Sequence, residues 1–530
     1  NQGTATLTSA TIQWEINGVL QPPYSWTGSL LEKESALVTL GNYQFVNATS
    51  YDFKIYTDSP NGVVDCDAYN DTTYLNSIFA GGLLCGVYTI GGVSPDFLNF
   101  TDAAYVLNNV GISCPVVFNV RDTIYDEQIK IYDVQGSSSV NTITFNGESG
   151  DSSVAGLHYQ NSNPSNDFSL ALVGTHNIFF NDLTVDRSNG TYAMLIQGGA
   201  HDVTVTNSKL GGDVMSPRYS VDSVLTFVGN NMEGKNITLH HPVGTDAGKV
   251  VIENNYLNNI TLNNASELVI SDNRANSSNS HAGLFTLDTC MNLTLTGNRA
   301  KGLHCYSDTN LLFNNNNFYW SQGSLDNASQ IMLQRVHNFN SSYNYSLFRA
   351  DDFDWNLRII NSSLGVVLGD SIIIDSYDRV PVGIQVESSL HVDVLDSYIY
   401  RSYQSDDRAI GIRVYSSEDL LLKGNEFDAN YNTQNVGSAI ELHNNDNNNI
   451  NIDSNTIKNW AIGLSNYSFS MGDRFTFNQN MLESIKELGV NIQGDSGVYT
   501  DNIISSIVGG NGISINGNGG TNVSRNKILG

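Results

Sequence analysis

The sequence predicts an all-β protein whose bulk is a parallel β-helix, and three observations carry that expectation. A short pattern of alternating apolar residues closed by Asn or Asp recurs from about residue 170 to the end. Glycine is abundant at 47 residues and proline scarce at 9, while Asn, Ser, Thr and Asp crowd the chain, a composition suited to short strands broken by many tight turns. Helical periodicity is confined to one stretch. The length of 530 residues and a hydrophobic content of 40% suffice for one very elongated domain and a small one.

Residues 1–80 are the first element. Thr11-Ile12-Gln13-Trp14-Glu15-Ile16 alternates as a half-buried strand does, Asn17-Gly18 is a hairpin signal, and Gln21-Pro22-Pro23-Tyr24 marks a further turn. The pattern is that of a small antiparallel β-sandwich. Next comes the single helix, Phe100 to Asn109, with Thr101-Asp102 as N-cap candidates, Gly111 closing it, and Ala103, Ala104, Val106 and Leu107 as its apolar face. Cys85 and Cys114 bracket this helix, so a disulfide between them would clamp it to the strand Val116 to Val120.

The solenoid occupies the rest of residues 81–530. Its rungs read, among others, Ile178-Phe179-Phe180-Asn181, Val203-Thr204-Val205-Thr206-Asn207, Val250-Val251-Ile252-Glu253-Asn254-Asn255, Leu268-Val269-Ile270-Ser271-Asp272-Asn273, Leu293-Thr294-Leu295-Thr296-Gly297-Asn298 and Leu311-Leu312-Phe313-Asn314. They continue through Asn425, Asn455, Asn478, Asn480 and Asn526. A period of about twenty to thirty residues marks a solenoid, in which each unit buries its apolar face only by stacking on its neighbours. Strand-length units without an intervening helical pattern separate a β-helix from leucine-rich or helical repeats. Each rung turns a corner at its Asn, and equivalent asparagines stack with their amides bonded along the ladder. About fifteen rungs spaced roughly 4.8 Å apart give a rod on the order of 70 Å long. An array of β-sandwiches would instead show regular domain boundaries, which are not evident after residue 100. Cys290 and Cys305 fall on neighbouring rungs as a second disulfide, which leaves Cys66 without a partner in this chain. N-x-S/T triplets at Asn47, Asn236, Asn264, Asn292 and Asn361 follow from the abundance of Asn, Ser and Thr, and the ladder needs its asparagines in any case.

Charge excludes some partners. Fifty-three Asp and Glu against 25 Lys and Arg give a net charge of -28, which opposes nucleic acid and anionic lipid surfaces alike. No apolar run approaches the roughly 18 residues of a membrane span, and the start of the chain has no secretory leader pattern.

The segment TLTSATIQWEINGVLQPPYSWTGSL, followed by PNGVVDCDAYNDTTY, resembles the Ig-like (CARDB-like) modules of secreted Bacteroidota surface proteins. CGVYTIGGVSPDFLNFTDAAYVLNNVGISCPVVFNVRDTIYDEQIKI, followed by NTITFNGESGDSS, is similar to the opening of right-handed parallel β-helix regions in large Bacteroidota proteins exported by the type IX system. The resemblance covers residues 5–150 closely and the remainder only as repeat. It implies a right-handed coil whose open end is capped by segment 96–114, a partial Ig-like sandwich in front of it, and a place on the cell surface reached through type IX machinery. The missing strands of the first module, a final rung pattern without a cap and the odd Cys66 imply an internal piece of a longer polypeptide.

Function is read from residues rather than from fold. Inverting glycoside hydrolysis needs two carboxyl groups about 6.5 to 9.5 Å apart, which adjacent rungs supply. Two acidic clusters qualify as candidates: Asp351 and Asp352, with Asp354, Arg349 and Arg358, and Asp406 and Asp407, with Arg408 and Arg413. Polygalacturonase-like enzymes combine N-T-D, G-H-G and R-I-K motifs, and no G-H-G occurs here. His240 and His241 point to opposite faces of a strand, so no metal is expected there. The loop around Asp446 offers weak calcium binding at most, and no other cofactor is expected. Tyr319, Trp320, Tyr398 and Tyr403 are candidate glycan-binding aromatics. The leading expectation is therefore a non-catalytic, extracellular stalk or adhesin that meets glycans or other cell-surface components; the alternatives are a secreted polysaccharide hydrolase or lyase and a passive spacer.

Overall fold

The computed structural model describes residues 1–46, 49–65, 70–160, 167–187, 191–217, 224–241, 248–275, 283–320, 329–348, 355–375, 380–402, 408–430, 437–443, 449–467, 475–493, 497–505, 507, 510–516 and 520–530. It divides into two compact units, Asn1–Phe118 with Val134–Thr142, and Asn119–Asp133 with Ile143–Gly530.

In the first unit the strand Leu7–Ile16 pairs antiparallel with Val19–Leu20, Tyr24–Leu30 and Thr49–Asp58, and Thr49–Asp58 pairs with Thr72–Ala80. The hairpin signal is realised, with Asn17 and Gly18 both at positive φ (48° and 73°). Trp14, Ile16 and Tyr51 form a small core, and the Trp14 indole N–H donates to the Pro22 carbonyl at 2.9 Å. The helix is Phe100–Asn109, and its N-cap is Asn99, whose side chain accepts from the Asp102 amide. Sequence reading placed the cap at Thr101-Asp102; Asn99 takes the role because its oxygen reaches the orphan amide three residues on. Cys85 and Cys114 are joined as expected, across a separation of 29 residues. Gly111 and Gly136, at φ of 84° and 88°, sit where two backbones meet: a Cβ would lie 2.4 Å from the Gln135 oxygen and 2.0 Å from the Ile112 oxygen.

The second unit is a parallel β-solenoid. A rung such as Lys249–Glu253, Tyr256–Leu257 and Ile260–Asn263 contributes one strand to each of three sheets. The first sheet runs from Ile143–Gly147 to Thr521–Ser524, a narrow twelve-stranded sheet from Tyr256–Leu257 to Lys527–Leu529, and a sixteen-stranded sheet from Ile129–Tyr132 to Asn511–Ile515. Inward positions stack in register, as in Val250, Leu268, Leu293 and Leu311, all nearly without exposure. Each such residue can bury its surface only against the rungs above and below.

The corner between the first and narrow sheets explains the asparagine pattern. It takes two residues. The first adopts a left-handed conformation, as at Asn254 (φ 54°), Asp272 (53°) and Gly297 (67°), which Asn, Asp and Gly tolerate. The second turns inward and forms the ladder. Asn255 receives the backbone and side-chain N–H groups of Asn230 on its Oδ1, and its own amide donates to Asn273 Oδ1 at 3.0 Å and to the Phe227 carbonyl at 2.8 Å. The ladder continues through Asn298, Asn316 and Asn344 and again through Asn425, Asn455, Asn480, Asn502 and Asn526. Its steps range from 18 to 30 residues. Asn207 serves instead as the left-handed residue (φ 49°). Asn181 and Asn314 end their strands one position earlier.

Between Asn344 and Asn425 two ladder positions are not asparagine, Asp370 and Ser397. Asp370 accepts from the Asn344 backbone and side chain and from the Ser341 hydroxyl, and its own amide donates to Ser397 Oγ. Burial outweighs these hydrogen bonds and pushes its carboxyl up to about 6.

Cys290 and Cys305 are not bonded to each other, which corrects the second expected disulfide. Cys290 sits at the corner that leads into the first sheet, its thiol turned to the Leu262 and Asp288 carbonyls. Cys305 points into the core in register with Leu287 and Leu333 and bonds the Asp308 carboxyl instead. Neighbouring rungs alone do not bring two thiols together when one is a corner residue and the other a core residue. Burial pushes the Cys290 thiol up to about 12 and the Asp308 carboxyl up to about 7. Cys66 lies outside the described residues. No helix among the described residues is long and apolar enough to cross a membrane.

Candidate functional site

On the sixteen-stranded sheet, alternation sends Leu357, Ile359, Ile384, Val386, Ile412, Val414, Ile440 and Leu442 into the core. Their neighbours in the strands Trp355–Ile360, Val382–Glu387, Ala409–Tyr415 and Gly437–His443 therefore face outward. Parallel register makes columns of them. Arg358, Gln385, Arg413, Glu441, Ser465 and Asn491 follow one another on successive rungs. Glu387, Tyr415 and His443 form a second column beside the first.

Rungs about 4.8 Å apart let charged side chains pair across them. Arg358 contacts Glu387 at 2.9 Å and lies 4.2 Å from the centre of the Trp355 ring. Gln385 ties that group together, accepting from the Trp355 indole at 2.7 Å and donating to Glu387 at 3.0 Å. Further along, Arg413 meets Glu441 at 3.3 Å, and His443 Nε2 stands 3.2 Å from the same carboxylate oxygen. The Tyr415, His443 and Tyr467 rings stack on one another, with centroids 6.4 Å and 4.8 Å apart. His443 lies between the two tyrosines, so its faces are covered, while Tyr415 and Tyr467 offer their polar edges to a ligand.

Glu441 is the centre of this group. Its side chain is only 13% exposed. Burial acts to raise its carboxyl, but the hydrogen bond with His443, the charge of Arg413 and a hydrogen bond from Ser438 outweigh burial and hold it below its ordinary value of 4.5. It is a carboxylate at neutral pH. It borders a pocket also lined by Arg408, Ser438, Tyr467 and Glu487, which places a second carboxyl group and a cation beside it. An ionised, partly desolvated carboxylate of this kind accepts a proton or stabilises developing positive charge; a proton donor must be another group.

The sequence-derived candidates map unevenly onto this geometry. Asp351, Asp352, Asp406, Asp407 and Tyr403, with Arg349, Asp354 and the calcium candidate Asp446, lie outside the described residues. The arginines read beside the two acidic clusters do converge: Arg358 and Arg413 share one column, and Arg408 borders the pocket. Their described carboxylate partners are Glu387 and Glu441, which sequence reading missed. Tyr319 and Tyr398 stand on the narrow sheet, three rungs apart and away from Glu441. Trp320 ends the strand Asn317–Trp320, and its side chain is not among those described. Among the described residues no group of three or more His, Cys, Asp or Glu side chains is placed to hold a metal ion.

No family model and no curated protein matches the chain. Solved structures do. A double mutant of the periplasmic alginate epimerase AlgG is 11% identical over 77% of this chain and 78% of that one, with a TM-score of 0.28. The full-length tailspike protein 2 of Escherichia coli O157:H7 bacteriophage CAB120 is 13% identical over 74% and 44% of the two chains, with a TM-score of 0.25. The GH136 lacto-N-biosidase from Eubacterium ramulus is 10% identical over 84% and 68%, with a TM-score of 0.20. At these values no activity passes from those proteins to this chain. The expectation of a non-catalytic stalk or adhesin is nevertheless set aside. A stalk would scatter its carboxylates along the rod, whereas Glu441 and Glu487 border one pocket.

Proposed function

We propose that this chain is a secreted, polysaccharide-active β-helix protein, a glycan hydrolase or lyase, working at the outer face of the sixteen-stranded sheet. The observation that carries the proposal is Glu441, a partly buried carboxylate kept ionised by His443, Arg413 and Ser438 in a pocket with Arg408, Tyr467 and Glu487. Nothing in the hydrogen bonding of the β-helix requires a charged group there: the same column carries Ser465 one rung on. Arg413 and His443 act as positioning residues, fixing the carboxylate and its charge state, while the exposed Glu487 is the second carboxyl group of the pocket. The Cys85–Cys114 bond and the acidic, cation-poor composition support an oxidising extracellular setting, and the resemblance of residues 5–150 supports export by the type IX route.

The test is release of reducing or unsaturated ends from a polysaccharide panel by the purified chain and by its Glu441→Gln variant. Turnover by the parent that falls by about 100-fold or more in the variant is expected. Equal turnover by both, or none by either, refutes the proposal.

A further inference from the structure

We infer that the glycan taken at this face has an uncharged backbone and is cut by hydrolysis, not by elimination. The inference rests on the reading of the Arg413–Glu441 face as the working site, and charge carries it beyond that reading.

The arginines of the column are matched from within the protein. Arg358 is held by Glu387 at 2.9 Å and Arg413 by Glu441 at 3.3 Å. At the pocket, Arg408 stands with the carboxyl groups of Glu441 and Glu487. Among the described residues, the two ion pairs of this face set two carboxylates against two guanidinium groups, on a chain of net charge -28. A polyuronate laid over it would bring a carboxylate with every sugar ring, each meeting a guanidinium already paired or a carboxylate of like sign, which costs binding energy rather than supplying it. Elimination needs a uronate carboxyl beside the proton that is removed, so an uncharged backbone leaves hydrolysis as the route of cleavage. Neutral sugars bring no such charge. Their hydroxyl groups fit the Asn491 side chain and the polar edges of Tyr415 and Tyr467.

Hydrolysis at this site balances with water as the only co-reactant. Glu441 takes a proton from a water molecule whose oxygen bonds to the anomeric carbon; the glycosidic C–O bond breaks; and the departing oxygen receives its proton from the second carboxyl group of the pocket, Glu487. Exchange with solvent returns both carboxyl groups to their starting states.

The experiment compares neutral polymers (a β-glucan, a mannan, a xylan and a galactan) with polygalacturonate and alginate, reading reducing ends and unsaturated uronates separately, for the parent and Glu441→Gln. Reducing ends from a neutral polymer, lost in the variant, with no product from either polyuronate, is the expected result. Products of either kind from a polyuronate, lost in the variant, overturn the inference while leaving the site in place. No product from any polymer, or product that Glu441→Gln leaves unchanged, overturns both. A second variant tests the charge argument by binding alone: Glu387→Gln unpairs Arg358 and should raise affinity for a polygalacturonate oligomer about tenfold, the worth of one charge-assisted hydrogen bond. Unchanged affinity would show that matched charge is not what excludes uronates.

Discussion

Replacing Asp370 by Asn should stabilise the solenoid at neutral pH, although it removes a charged group that makes three hydrogen bonds. In the asparagine ladder each amide donates to a backbone carbonyl on the preceding rung, as Asn344 does to the Phe313 carbonyl at 3.0 Å. Ser341 follows Phe313 in register, so an Asn at 370 has the Ser341 carbonyl within reach and keeps its oxygen for Asn344. The charge is what the native residue adds, and it is buried. With a carboxyl at about 6 in the fold against an ordinary 3.8, the folded state retains its proton between those values while the unfolded state has lost it. Stability therefore falls as pH rises from about 3.8 to about 6 and is level beyond. Two pH units at 1.36 kcal/mol each come to about 3 kcal/mol. Below pH 3.8 both states are protonated and the penalty vanishes. Spread over the unfolding entropy of several hundred residues, the gain from Asp370→Asn is about 3 °C in Tm at pH 7.5. Paired calorimetric scans of parent and variant at pH 7.5 and pH 4 measure it. A gain of the same size at both pH values, or a loss at pH 7.5, would refute the argument that buried charge outweighs the ladder contacts.

Further expectations follow from the same ladder and its surroundings. Asn298→Ala removes the donor to Asn316 and to the Ile270 carbonyl and leaves the Asn273 amide without its acceptor, and should cost about 3 kcal/mol, read as a fall in Tm and as new hydrogen exchange at the flanking rungs. Opening the Cys85–Cys114 bond by Cys85→Ser with Cys114→Ser should cost the first unit about 3.5 kcal/mol by loop entropy, checked by limited proteolysis and thermal scans. Cys290 and Cys305 should resist alkylation until the solenoid unfolds, because burial keeps both as thiols; peptide mapping after iodoacetamide treatment of native and denatured protein decides this. Because Glu441 works ionised, the acid limb of any glycan turnover should lie below pH 4.5, and Arg413→Gln should move that limb upward; an unmoved limb would remove Arg413 from its positioning role.

The solenoid was legible because its signal is periodic and local. Alternation fixes which residues face inward, and Asn is favoured at the corners for two separate reasons, left-handed backbone at Asn254 and ladder bonding at Asn255. Sequence reading merged the two roles, which is why Asn181, Asn207 and Asn314 were assigned to the ladder alongside Asn255. The Cys85–Cys114 bond was legible because a short helix separates its ends, whereas Cys290 and Cys305 depend on which wall of the coil each residue faces. The candidate site was half legible. Arg358 and Arg413 drew notice beside runs of Asp, but Glu441 stands alone among Ile440, Leu442 and His443, and only the register of 28 residues to Arg413 brings the pair together. Rung lengths vary, so that register cannot be counted from the chain without knowing where each corner falls.

The proposed function puts glycans on the outer face bearing Arg413 and Glu441. A crystal structure of the Glu441→Gln variant soaked with oligosaccharides of the neutral polymers tests it most directly. Sugar rings should lie along Arg413, His443 and Tyr467; sugar bound on the face of Tyr319 and Tyr398 instead, or no sugar at saturating concentration, would place the working site elsewhere or remove it.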